Sequence, residues 1–290
     1  MPASDLEPLL RRMETADVPF AMELKNLAGW NQTARDWLGY LEFEPEGCFV
    51  AEAAGQRVGT ATSIAYGDRF GWIGMVLVHP DARRLGLGSA LLRHAIDYLQ
   101  RRGVACVKLD ATPMGRKVYV PMGFQDEYEL SRYEGVAPST EEATAAAVQF
   151  MTEGDLPAVI VFDAAAFGAE RSAVIRSMSR RNLAYCFVSR DDQGAVNGYL
   201  IARDGLNAVQ IGPWIARDAT VADTLLRAFL RRVSGKRVFV DVPHLNAKAC
   251  ALIEKHGFNV QRGFVRMFLG ENRHPGNPQQ VFGTSSAEKG

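Results

Sequence analysis

Apolar residues along this chain are spaced in two ways, one typical of amphipathic helices and the other of β-strands. A hairpin pattern covers residues 49–53 and 58–66 with a turn around Gly55, and an apolar strand pattern follows at residues 72–78. The next apolar stripe has helical spacing and consists of Leu91, Leu92, Ala95, Ile96 and Leu99. A second apolar strand is predicted at residues 104–110, before a short helix that ends at Gly123. This alternation predicts an α/β fold, a mixed sheet with helices packed on it.

The same series of elements occurs twice in the chain. Cys-Phe-Val at 48–50 returns at 186–188, and Ile-Gly at 73–74 returns at 211–212, both at an offset of 138 residues. The offset is 134 between the Gly-Phe pairs at 123–124 and 257–258, so the second copy is four residues shorter in between. Such a repeat predicts two tandem domains, at residues 1–137 and 147–270, each a twisted mixed β-sheet flanked by helices.

Two further segments differ in composition from the repeated domains. Residues 135–147 are small and polar and predict a linker between the domains. Residues 271–290 are rich in Gly, Asn, Pro, Gln and Ser, which predicts a flexible tail.

The overall composition excludes several classes of protein. Lys plus Arg and Asp plus Glu both number 33 among 290 residues, so the broad basic surface of a nucleic-acid-binding protein is not expected. The four cysteines and five histidines show no metal-ligand spacing, so we expect no metal. No apolar run approaches the length of a membrane span, and no signal peptide is evident, which favours a cytoplasmic protein without a membrane partner. Monomer and homodimer both remain open.

The segment between the first apolar strand and the amphipathic helix has the character of an anion-binding loop. Gly86 and Gly88 allow the backbone to bend and to approach a ligand closely. The unpaired amides of the first helical turn point outward, and the helix dipole adds roughly half a positive charge there. Arg83 and Arg84 precede them, so the loop suits a pyrophosphate, although two glycines at a helix entry can also be a plain turn.

The spacing Arg83-x-x-Gly86-x-Gly88 resembles the Q/R-x-x-G-x-G/A signature of the GNAT N-acetyltransferase superfamily. Asp110-Ala-Thr-Pro and Tyr119-x-x-x-Gly-Phe also resemble that superfamily, and the resemblance covers nearly all of residues 8–135. The whole chain is similar to bacterial tandem-domain GNAT proteins of the YitH-like type. In its second copy, the loop equivalent at residues 214–223 has no glycine and carries two acids, so this domain is expected to be degenerate and to bind no cofactor.

This resemblance implies an acyl-CoA-dependent N-acyltransferase that moves an acetyl group from acetyl-CoA to a primary amine on a small molecule, directly in a ternary complex. The first domain would be catalytic, and one backbone amide of its splayed strand would act as an oxyanion hole. The residues that would hold acetyl-CoA are Met75, Val76 and Val78 through their backbone, and Arg83, Arg84, Gly86, Gly88 and Ser89 at the pyrophosphate.

Tyr119 and Asp110 are the candidate catalytic residues. Tyr119 would protonate the leaving thiolate, because a phenol keeps its proton at neutral pH. The alternative is a ring that packs beneath the cofactor. Asp110 would take the proton of the amine or, alternatively, would cap the following turn.

Trp30, Asn31 and Gln32 are the candidate acceptor-binding residues. An amphipathic Trp beside two amides suits a small polar substrate, and the alternative is a core tryptophan with a local turn. Two other functions stay open for the chain as a whole: a non-catalytic acyl-CoA-binding sensor, and a scaffold whose second domain serves as a partner surface.

Overall fold

The computed structural model describes residues 8–138 and 148–290, which we call the first and second halves. The strands of the first half are β1 (Leu9–Arg12), β2 (Cys48–Ala53), β3 (Gln56–Tyr66), β4 (Phe70–Val78), β5 (Cys106–Ala111) and β6 (Gln125–Val136). Its helices are α1 (Val18–Leu27), α2 (Ala34–Phe43), α3 (Leu87–Arg101) and α4 (Pro113–Tyr119). The predicted hairpin, apolar strands and amphipathic helix are therefore confirmed. Most of the segment expected to be a linker lies outside the described residues.

The second half repeats this series. Its strands are β7 (Val148–Phe150), β8 (Cys186–Arg190), β9 (Val196–Arg203), β10 (Val209–Ala216), β11 (Arg237–Pro243) and β12 (Asn259–Gly270). Its helices are α5 (Leu156–Phe167), α6 (Ser172–Arg181), α7 (Ala219–Arg232) and α8 (Ala247–Lys255), and a short strand β13 (Val281–Gly283) follows. The described helices include none that is both long enough and apolar enough to cross a bilayer.

The two halves exchange their last long strands. All described strands form one mixed sheet in the order β1-β2-β3-β4-β5-β12-β6-β11-β10-β9-β8-β7, with β13 paired to β10. Strand β12 of the second half pairs antiparallel with β5, and β6 of the first half pairs antiparallel with β11. The mixed α/β fold is as predicted, and the exchange joins the sheets of both halves into a continuous structure.

Helices cover both faces of this sheet. The predicted stripe of α3 is buried on one face, and α7 covers the equivalent face of the second half. The other face carries α1, α2, α5 and α6, which share one apolar core. That core contains Trp37 and Trp72 of the first half together with Ile175 and Tyr199 of the second. The hydrophobic stabilisation of each half therefore depends on the other.

The prediction of a flexible tail at residues 271–290 is wrong for residues 281–290. Residues 281–290 are almost entirely buried, and β13 pairs with β10 at Trp214 and Ile215. Arg171 donates to Ser285 Oγ at 2.7 Å and to the main-chain oxygen of Gly290 at 2.8 Å. The small residues of this segment suggested flexibility. Small residues also fit a narrow groove, and residues 281–290 fill such a groove between the two halves.

Candidate active site

The candidate site begins where β4 separates from its parallel neighbour β5. Among the described residues these strands pair only at Gly71 and Trp72 of β4. Met75 has a φ of 50°, and the register with β3 shifts between Thr60 and Thr62. The Thr60 hydroxyl donates to the Met75 carbonyl at 2.9 Å and holds this bulge. A bulged and splayed strand leaves backbone groups of its next residues available to a ligand lying between the strands.

Strand β4 leads into the loop predicted to bind phosphate. Gly86 (φ 77°) is the N-cap of α3, and a Cβ at this position would meet no atom within 4 Å. The first amides of α3, including those of Gly88 and Ser89, have no acceptor within the helix and lie at the positive end of its dipole. Arg83 and Arg84 are exposed beside them. The loop therefore has the space, the donors and the charge that an anionic diphosphate needs.

Tyr119 is the last residue of α4, which rests on β5 and β12. Its ring packs against Phe124 with the centroids 5.9 Å apart. Burial raises the pKa of the Tyr119 phenol to about 12, so the hydroxyl keeps its proton at neutral pH. The packing role and the proton-donor role foreseen for this residue are compatible.

Asp110 is engaged in an ion pair that the sequence did not indicate. Arg266 of β12 donates to both of its carboxylate oxygens, at 2.8 and 3.0 Å, and the carboxylate is fully buried. Burial raises the pKa of Asp110, and Arg266 opposes that rise. Arg132 and Asp241 form the equivalent pair, at 2.7 and 2.8 Å. Asp110 thus joins the exchanged strands, and the turn cap at α4 is Thr112 instead.

Asn31 joins the two halves. Its amide nitrogen donates to the Ala208 carbonyl at 3.0 Å, and its amide oxygen accepts from the backbone amides of Asn207 and Ala208 at 2.8 and 3.1 Å. The Trp30 carbonyl accepts from the Asn207 side chain at 3.4 Å, and Gln32 is buried. The structure therefore gives Asn31 a bridging role and does not place its amide in an open pocket.

In the second half, the chain itself occupies the place that is open in the first. Among the described residues, strand β10 pairs with β11 at residues 209–211, and further along it pairs with β13. At the start of α7, the Asp218 carboxylate accepts from the amides of Thr220 and Val221, both at 3.0 Å. An acidic side chain therefore takes the helix amides that a phosphate would need.

Residues 284–290 continue from β13 across the first half. The Trp72 indole donates to the Ala287 carbonyl at 3.0 Å. A Cβ on Gly74 would lie 2.7 Å from the Cα atom and the carbonyl oxygen of Glu288. The segment thus touches β4 one residue before the bulge, on the face that carries the shared core.

A cavity of about 380 Å³ lies beside this segment, between α2 and α6. Both halves line it, with Asp36 and Tyr40 from the first and Met178, Arg203 and Lys289 from the second. Sequence reasoning missed these residues, because it treated the two domains separately. The repeat offered a signal for these residues, because α2 and α6 start 138 residues apart and are therefore equivalent helices of the two halves.

Two sequence profiles match the chain, one in each half. An acetyltransferase (GNAT) family profile matches residues 13–124, and an acetyltransferase (GNAT) domain profile matches residues 159–283.

Related proteins match nearly the full length. The chain is 26% identical to a holothin acyltransferase of Pseudoalteromonas sp. (strain SANK 73390), over 90% of this chain and 87% of that protein. It is 24% identical to the N-acetyltransferase YitH of Bacillus subtilis, over 82% and 83% of the two chains. The crystal structure of a candidate acetyltransferase from Pyrococcus horikoshii, 22% identical, superposes with a TM-score of 0.84 over 100% of this chain and 99% of that one, which shows a common fold.

Proposed function

Since the chain belongs to the GNAT family of acetyltransferases, as two tandem domains, we propose that it moves an acetyl group from acetyl-CoA to a primary amine of a small molecule. One observation carries the proposal: the bulge at Met75 opens the sheet, and the same strand runs on into the arginine- and glycine-containing loop at α3. An extended thioester with a diphosphate at its far end fits this path. Backbone donors lie along β4, and the anion-binding loop lies at the end of the path.

Acetyl-CoA, when bound, supplies a thioester with an electrophilic carbonyl carbon. The backbone groups of Met75, Val76 and Val78 would hold the pantetheine and the acyl oxygen, and their fixed dipoles would stabilise charge at that oxygen. Arg83, Arg84 and the amides from Gly86 to Ser89 would hold the diphosphate.

Tyr119 is the proposed proton donor to the leaving thiolate. Its phenol is protonated over the whole physiological range, because burial raises its pKa to about 12. The amine attacks directly while both substrates are bound, so no acyl-enzyme is required.

We assign catalysis to the domain proposed at residues 1–137 and no cofactor site to the domain proposed at residues 147–270. The supporting contacts are the pairing of β13 with β10 and the capping of α7 by Asp218. The second half then serves the first by supplying strand β12 and one side of the cavity.

The test combines acetyl-CoA binding, measured by calorimetry, with release of free thiol across a panel of small amines. The panel includes holothin, the compound named for the Pseudoalteromonas relative. Binding together with amine-dependent thiol release is the expected result. A chain that does not bind acetyl-CoA would contradict the proposal.

Tight binding without thiol release from any amine would favour the alternative, an acyl-CoA-binding sensor. One observation favours that function: residues 284–290 pack against β4 at Trp72 and Gly74, beside the bulge, and leave less room there for an acceptor.

A further inference from the structure

Two residues of the bulge in β4, Met75 and Val76, have no register partner in β3, which pairs with residues 74 and 77 on either side of them. Among the described residues, four non-glycine residues have a positive φ, and Met75 is the one that lies within a strand. This conformation is strained for a residue with a Cβ, so the surrounding structure must hold it. The buried Thr60 hydroxyl does so, because it donates to the Met75 carbonyl at 2.9 Å.

The same hydrogen bond fixes the direction of the Val76 amide. The peptide between Met75 and Val76 is planar and trans, so its N–H points opposite to its carbonyl. Because the carbonyl points to Thr60 of β3, the Val76 N–H points away from that strand and cannot pair with it. On the other side of β4, the pairing with β5 is confined to Gly71 and Trp72 among the described residues. The Val76 amide therefore lies at the gap between β4 and β5, on a stretch of strand that is only half-buried.

The second half has no hydroxyl at the equivalent position. Gly198 of β9 stands 138 residues after Thr60, which is the offset of the repeat. The residue 138 positions after Val76 is Trp214, and it pairs with Gly283 of β13. The hydroxyl therefore occurs in the half whose strand is open, and glycine replaces it in the half whose strand is covered by the chain itself.

We propose that Thr60 is a positioning residue of the acetyl transfer: it holds the Met75 carbonyl so that the Val76 N–H is directed at the acyl oxygen of acetyl-CoA. This inference rests on the proposed function and deepens it. A donor that is already oriented stabilises charge at the acyl oxygen without any reorganisation during the reaction. Thr60 acts through the backbone of β4 and does not touch the substrates itself.

The charge at the acyl oxygen arises during bond formation. As the amine nitrogen bonds to the thioester carbon, one electron pair of the C=O bond moves onto the oxygen. That pair returns to the C=O bond as the C–S bond breaks, and the electrons of the C–S bond leave with the sulfur. The amine loses a proton to solvent, while Tyr119 protonates the thiolate and regains a proton from solvent. The Val76 amide keeps its proton throughout.

Amide NMR of the full chain tests the direction of the Val76 N–H without an acceptor. CoA and acetyl-CoA are added to separate samples, because they differ only in the acyl group. In wild type, acetyl-CoA should shift the Val76 amide resonance more than CoA does. Thr60→Val removes the hydroxyl and should lose most of this acetyl-dependent shift, and Thr60→Ser, which keeps a hydroxyl, should retain it.

The kinetic test uses the best amine of the panel. Thr60→Val should lower kcat about 10-fold or more, because a misdirected oxyanion donor is lost in part or in full. Its affinity for acetyl-CoA should change by less than about threefold, since the charge at the acyl oxygen develops only in the transition state. Thr60→Ser should restore kcat.

The matched control is Thr62→Val. Thr62 is the next residue on the same face of β3, and its buried hydroxyl has no hydrogen-bond partner among the described residues. This variant should keep both the acetyl-dependent shift and kcat. Equal shifts in Thr60→Val and wild type, equal losses in Thr60→Val and Thr62→Val, or no acetyl-dependent shift in wild type would overturn the inference.

Thr60→Cys keeps the test informative if Thr60→Val fails to fold, because a thiol is only a weak donor. It should reduce the acetyl-dependent shift at Val76, and an unchanged shift would contradict the inference. Calorimetry with acetyl-CoA on the same samples separates the two proposals. Acetyl-CoA binding without an effect of Thr60→Val refutes only the role of Thr60, whereas failure of wild type to bind acetyl-CoA refutes the proposed function.

Discussion

Tyr119 and Asp110 are both ionisable groups in the candidate site, and their surroundings separate their roles. Tyr119 is held by apolar packing against Phe124, and its proton is retained. Asp110 is bound at both oxygens by Arg266, an interaction that ties β5 to β12. Removing one partner of such a buried pair leaves an uncompensated charge. We therefore propose that Tyr119 keeps the proton-donor role and that Asp110, foreseen as the base for the amine, acts in the assembly of the sheet instead.

Replacement of Tyr119 by Phe should lower turnover with the best amine of the panel about 100-fold, because general acid catalysis is lost while the ring remains. Acetyl-CoA affinity should change by less than about twofold, since a single hydroxyl away from the diphosphate is removed. Calorimetry and thiol release measure the two effects.

The control for this change is Tyr185→Phe in the second half, whose hydroxyl bonds Asp204 and Lys236. It should leave turnover unchanged. The rate in wild type should show no fall from deprotonation of Tyr119 below about pH 10, because its pKa is about 12. Full turnover in Tyr119→Phe would exclude the acid role.

At the scale of elements, equivalent helices and strands of the two halves have different surroundings. The N-terminus of α3 faces an open loop, whereas that of α7 is capped by Asp218. Beyond its short pairing with β5, strand β4 is splayed, whereas β10 pairs with β13 beyond β11. The same backbone framework is thus open in one half, where we propose that acetyl-CoA binds, and a filled groove in the other.

Replacement of Gly86 by Ala should weaken acetyl-CoA binding about 10-fold, because a methyl group would enter the open space at the α3 N-terminus where the diphosphate is proposed to lie. It should also cost about 1 kcal/mol of unfolding free energy, since an L-residue is strained at a φ of 77°. Calorimetry and chemical denaturation measure these effects.

Gly103→Ala, at the other end of α3, is the matched control. Gly103 has a φ of 82°, and a Cβ there would also meet no atom within 4 Å. The stability loss should be similar, with acetyl-CoA affinity unchanged. Equal effects of both substitutions on binding would argue against the phosphate loop.

At the scale of the whole molecule, the exchange of β6 and β12 makes the two halves interdependent. Each last strand lies next to the sheet of the other half, and α1, α2, α5 and α6 enclose a common core. A half without its partner would expose the edge of β5 or β11 and the apolar face beneath these helices.

Residues 1–138 expressed alone should therefore not give a stable monomer, and neither should residues 148–290. Co-expression of the two fragments should yield a complex that co-purifies and melts cooperatively. Circular dichroism and size-exclusion chromatography distinguish these outcomes. A folded, monomeric first fragment would show that the exchanged strand is dispensable.

The local features of this protein follow from its sequence. Hydrophobic periodicity placed β2 to β5 and α3 within a few residues of their observed bounds, and the repeat identified the equivalent elements of the second half. The geometry of the loop that we propose to bind phosphate was also predictable, because its glycines and arginines are close in sequence and act through local backbone geometry.

The tertiary structure decided which distant residues meet. The partner of Asp110 lies 156 residues away in the other half, and Glu288 reaches Tyr40 across 248 residues. Strand exchange of this kind leaves hydrophobic periodicity unchanged, because a strand has the same pattern whichever half it joins. The composition of the segment at 284–290 did not predict its burial either. Small and polar residues are buried only where the opposing surface supplies matching charges and hydrogen bonds, and that surface lies far away in the sequence.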